Sequence, residues 1–82
     1  MNEATIAARI RYLRKSHDYT LDDMAYFIDS TRYILSSVEK QKNSPTIRLI
    51  LQIADAMNTT PEWILGIDNA LIPPEQSYDE NN

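Results

Sequence analysis

The chain has no cysteine, one glycine, one tryptophan and one histidine in 82 residues. Without cysteine there is no disulfide framework and no thiolate metal site, which suits a reducing cytoplasmic setting. The single glycine, Gly66, interrupts a pattern that is otherwise helical, and no segment reads as a β-strand. A lone histidine, His17, has no companions for a metal site or a catalytic triad. No run approaches the roughly eighteen apolar residues of a membrane span. The start, Met1 to Arg9, lacks the basic head and apolar block of a signal peptide. There is no glycine-rich phosphate loop and no nucleophile–base pair at recognisable spacing, so neither an enzyme nor a bound cofactor is expected.

What is present is enough apolar material, 43% of residues, for one modest core and hence one domain. The net charge of −4 argues at first against a nucleic-acid partner, because phosphate contacts require Lys and Arg. The distribution of that charge along the chain removes the objection. Residues 1–66 hold all eight bases and eight acids, so the body is neutral. The other four acids, Asp68, Glu75, Asp79 and Glu80, fall in the last sixteen residues. The expected division is a domain over residues 1–68 and a flexible acidic tail over 69–82.

Apolar spacing predicts a first helix from Glu3 to Ser16, with Ile6, Ile10 and Leu13 inward. Thr20 caps a second helix from Leu21 to Ile28, and Asp23 stands at the capping-box position. Thr31 caps a third, from Arg32 to about Lys40, with Leu35 and Val38 inward. After the loop to Pro45, Thr46 caps a fourth helix whose expected inward stripe is Ile47, Ile50, Leu51, Ala54 and Met57. Asn58 takes the left-handed stop. Thr60 and Pro61 open a short fifth helix carrying Trp63, Ile64 and Leu65. Two short helices joined by the tight turn between Thr20 and Thr31 suggest a helix-turn-helix, whose second helix can enter the DNA major groove.

The order of these pieces resembles the Cro/C1-type helix-turn-helix family, the λ-repressor-like fold. Arg9 to Lys15 resembles the opening helix, Thr20 to Ala25 the second-helix start, and Leu35 to Lys40 the end of the recognition helix. Asn43 to Thr46, Leu51 to Met57 and Thr60 to Leu65 are similar to the segments that follow. The resemblance covers about residues 6–66 and implies an all-α, compact five-helix fold. It also implies a non-catalytic regulator that binds double-stranded DNA as a homodimer, with recognition helices about 34 Å apart.

By the same resemblance, Arg32, Tyr33, Ile34 and Ser37 are the base-reading positions. Arg32 is suited to guanine O6 and N7. Thr31, Ser36, Lys40, Lys42 and Asn43 are the phosphate-holding positions. Glu39 is expected to pair with an arginine of the first helix, Arg14. Three departures stand out: Leu21 replaces the glutamine that clamps a phosphate, and Asp29 and Gln41 replace glycines that follow the second and third helices. These departures, together with outward Tyr26, Phe27, Tyr33 and Ile34, support a rival reading. In it the same scaffold is a protein-interaction module, an antirepressor or an antitoxin-like partner. Phe27 is the candidate interface residue of that exposed set, whereas the fifth helix with Trp63, followed by Leu71 and Ile72, is the candidate surface for homodimer contact, although Trp63 reads first as a core plug.

Overall fold

The computed structural model of the protein describes residues 2–76. Five helices follow one another without a strand among the described residues: α1 (Glu3–Ser16), α2 (Leu21–Phe27), α3 (Arg32–Glu39), α4 (Ile47–Ala56) and α5 (Pro61–Leu65). All five starts carry a side-chain cap. Asn2 accepts from Ala4 and Thr5 N–H on α1, and Thr20, Thr31, Thr46 and Thr60 each accept from the N–H three residues on. At α2 the capping box is complete, since the Asp23 carboxylate accepts the Thr20 N–H at 2.9 Å.

The helix ends share a second device. Asp18, Asp29, Gln41 and Asn58 all have positive φ, between 53° and 60°. In each case the next residue's N–H reaches back to the third-last helical carbonyl: Tyr19 to Arg14, Ser30 to Ala25, Lys42 to Ser37 and Thr59 to Ala54. This is the Schellman closure, usually given to glycine because other residues meet steric resistance there. Three of the four junctions then place a threonine cap two residues after the left-handed residue, giving a minimal elbow between helices. The glycine itself ends α5, where φ is 82° and an added Cβ would stand 3.2 Å from Thr5 Cγ2.

The elbows turn one apolar face of every helix into a common core. Ile10, Leu13, Met24, Leu35, Ile50, Ile53 and Ile64 are its most deeply buried large side chains. Burying each such side chain is worth roughly 1.5–3 kcal/mol against exposure. The expected phase of α4 is corrected. Leu49, Ile50, Ile53, Ala54 and Met57 face inward, while Ile47 and Leu51 are 59% and 51% exposed. The segment is apolar at nearly every position, so two adjacent stripes satisfy helical spacing equally. Packing against α5, its neighbour in the core, selects the second.

Residues 69–76 do not leave the body. Ala70 O accepts Trp63 Nε1–H at 2.8 Å, Pro74 O accepts the buried Thr59 hydroxyl at 2.6 Å, and Gln76 Nε2 donates to Ala54 O at 3.2 Å. This strap follows the α4–α5 corner. The acids Asp79 and Glu80 lie outside the described residues.

Candidate nucleic-acid interface

The second and third helices and their turn present one exposed surface whose orientation is fixed from beneath. Leu21, at the first position of α2, is drawn toward the core and packs against it. It therefore offers no polar group outward where the family carries its phosphate clamp. Met24, Ala25 and Ile28 anchor α2, and Leu35 and Val38 anchor α3. The Arg14 guanidinium grips the Glu39 carboxylate with two hydrogen bonds, at 2.8 and 2.9 Å, and donates a third to Tyr19 O. That hydrogen bond to Glu39 raises the Arg14 pKa, against the lowering effect of burial. A permanent cation thus ties the start of α2 to the end of α3.

Above this base, Arg32, Tyr33 and Ile34 stand outward on the first turn of α3. Tyr33 is 75% and Ile34 43% exposed. Arg32 Nη1 lies 3.5 Å from Asp22 Oδ2 across the mouth of the motif, with both side chains open to solvent. Thr31 Oγ1 accepts the Ile34 N–H at 3.2 Å, which leaves its own hydroxyl proton available to a phosphate. Lys40, Lys42 and Asn43 are exposed at the far end of α3, and Ser36 is half-buried. Ile34 also borders a cleft of about 280 Å³ formed with Val38, Pro45, Arg48 and Leu49.

Two expected positions are corrected. Ser37 is only 7% exposed, turned to the buried flank of α3, and its carbonyl accepts the Lys42 and Asn43 N–H groups. It cannot reach a base edge. Trp63, at 3% exposure, is enclosed in the core, with the Arg9 guanidinium 4.6 Å above its ring and its Nε1 committed to Ala70. It is not available as partner surface. Phe27 and the strap residues Leu71 and Ile72 do remain outside, at 53%, 95% and 72% exposure. Phe27 lies in an aromatic row, stacked on Tyr19 at 5.0 Å and edge-on to Tyr26 at 5.5 Å.

One basic residue of this surface is absent from the positions the sequence singles out. Arg11 lines a surface cleft together with Arg14, Leu21, Ser36, Glu39 and Lys40. Its signal was its place one turn before Arg14 on α1, the residue already expected beneath the motif. Arg11 and Lys40 thus bring positive charge to the cleft in which Leu21 supplies none.

The family's sequence pattern, Helix-turn-helix (HTH_3), matches residues 10–64. The chain therefore belongs to the Cro/C1-type helix-turn-helix family, a family of DNA-binding regulators rather than enzymes. Among curated proteins none matches it. Three solved structures share its fold. The restriction-modification controller protein C.AhdI from Aeromonas hydrophila is 21% identical with a TM-score of 0.71, over 76% of this chain and 94% of that one. An HTH_3 family transcriptional regulator from Vibrio cholerae is 27% identical with a TM-score of 0.72, over 80% of this chain and 37% of that one. The DNA-binding domain of the P22 C2 repressor is 19% identical with a TM-score of 0.71, over 85% of this chain and 95% of that one. Among the described residues no helix is long and apolar enough to cross a membrane.

Proposed function

We propose that this regulator is a repressor acting in the cytoplasm, which reads a palindromic operator as a homodimer through α3. The observation that carries this reading is the exposed first turn of α3, where Arg32 and Tyr33 stand free of the core on a rigidly anchored helix. Arg32 is the guanine reader, and Tyr33 and Ile34 contact neighbouring bases or thymine methyls. Thr31, Ser36, Lys40, Lys42 and Asn43 hold phosphates, joined by Arg11, which offsets the missing clamp at Leu21. Dimer contact falls to the exposed strap residues Leu71 and Ile72 beside α5. The deciding experiment is selection of bound sequences from a random DNA pool by the full chain, with Arg32→Ala as control. A recovered palindrome with one position relaxed in the variant supports the reading; no enriched sequence sinks it.

A second reading is favoured by Tyr26, Phe27 and Tyr33, three aromatic side chains at least half exposed beside the motif. Such a surface suits a protein partner, as in an antirepressor or antitoxin. Salt separates the two. A DNA reader loses affinity steeply as salt rises, whereas a protein-interaction module has little DNA affinity to lose.

A further inference from the structure

Asp22 shares the first turn of α2 with Asp23, where either acid favours the helix dipole, but the dipole does not explain why Asp22 faces Arg32. Asp23, its neighbour, closes the capping box of α2, and the Asp22 carboxylate instead faces the Arg32 guanidinium at 3.5 Å. With side chains 70% and 66% exposed, the pair adds little to stability. An acid on a face that meets phosphate also weakens DNA binding in general. The acid therefore weakens general affinity for DNA with little return in stability unless its arrangement carries information.

The arrangement matches one base pair. In the major groove a G·C pair presents N7 and O6 of guanine as acceptors and N4–H of cytosine as a donor, in that order across the groove. O6 and N4 are the two ends of a Watson–Crick hydrogen bond, about 2.9 Å apart. A guanidinium donating to N7 and O6 leaves the neighbouring N4–H facing an acceptor one hydrogen-bond length away. Asp22 Oδ2, 3.5 Å from Arg32 Nη1, is an acceptor slightly beyond that spacing, on an exposed side chain with room to close the difference. Resting on the reading of Arg32 as a guanine contact, we infer that Arg32 and Asp22 act together as a composite reader of one whole G·C pair. Arg32 reads guanine, and Asp22 reads the amino group of the cytosine opposite. Asp22 is then a specificity determinant supplied by the helix that is usually assigned to the backbone.

The test uses the full chain and its selected operator, with the cytosine opposite the Arg32-contacted guanine replaced by N4-methylcytosine. That methyl group removes the major-groove donor and keeps the guanine. The unmodified protein should lose about tenfold in affinity for the methylated operator. Asp22→Ala should be indifferent to the methyl group. It should also bind random-sequence DNA more tightly at low salt, an effect opposite in sign to any loss of folding. Equal affinity of the natural protein for both operators overturns the inference, as does full methyl sensitivity in Asp22→Ala. Failure of the underlying reading shows differently, since Arg32→Ala would then leave the selected sequence unchanged.

Discussion

Arg14 and Glu39 join α1 to α3 by a two-pronged ion pair that is almost closed to solvent, with side chains 12% and 7% exposed. Removing one partner would strand the other charge in a site built for two. Glu39→Ala should therefore cost about 3 kcal/mol in urea denaturation. Replacing both residues by apolar ones of similar volume should recover most of that loss. Because the Glu39 carboxylate raises the Arg14 pKa, the cation's contribution is present from neutral pH up to its unfolded value. It is lost only as pH rises through the still higher folded value. The penalty of Glu39→Ala should thus be the same at neutral and mildly alkaline pH.

Gln41 holds φ at 60° without the local hydrogen bonding that eases aspartate or asparagine into this region. Gln41→Gly should stabilise the domain by about 0.5–1 kcal/mol, read as a rise in Tm of several degrees. Gly66→Ala should do the reverse, since its φ of 82° and the Thr5 contact at 3.2 Å both resist a Cβ.

Under the proposed reading, phosphate holders and base readers differ in their response to salt. Arg11→Ala and Lys42→Ala should each weaken binding uniformly across sequences and lower the salt slope by about one unit. Arg32→Ala should instead cost roughly 1–3 kcal/mol on the preferred site alone. Ser37→Ala should change neither, because Ser37 is buried. Fluorescence anisotropy titrations at several salt concentrations distinguish all three patterns.

Truncation after Asp68 removes the acceptors of Trp63 Nε1 and the Thr59 hydroxyl together with the Gln76 bond to Ala54. At about 1 kcal/mol or less for each hydrogen bond, the shortened chain should lose about 2 kcal/mol. Trp63 is the single tryptophan, so its emission should shift to the red as water reaches the indole.

Much of this architecture was legible in the sequence, because its signals are local. The threonine caps, the capping-box aspartate and the left-handed Asn58 state their roles within a few residues. The ion pair of Arg14 and Glu39 came from family resemblance and is present as expected. What escaped was decided by tertiary contact. The helix from Ile47 has apolar residues on more than one face, and periodicity alone cannot say which face meets α5. Ser37 is polar at a position that spacing leaves near the boundary, and packing turns it inward. The strap escaped because two of its bonds are accepted by the carbonyls of Ala70 and Pro74, which no side chain announces. Arg11 drew no notice because an exposed arginine on a helix is ordinary until the fold sets Lys40 beside it.

The elbows at Asp18-Tyr19-Thr20, Asp29-Ser30-Thr31 and Asn58-Thr59-Thr60 have no slack. The left-handed residue must close one helix and the threonine must open the next, with one residue between them. The connection from Gln41 to Thr46 alone interposes four residues, Lys42 to Pro45, between the same two events. The chain can therefore change length cheaply at one joint and not at the other three. A glycine inserted after Asn43 should leave the fold intact and shift only the path of the loop. The same insertion after Ser30 should uncouple the two halves of the motif, so the joint that tolerates a change of length and the joints that keep the domain rigid are separate parts of the chain.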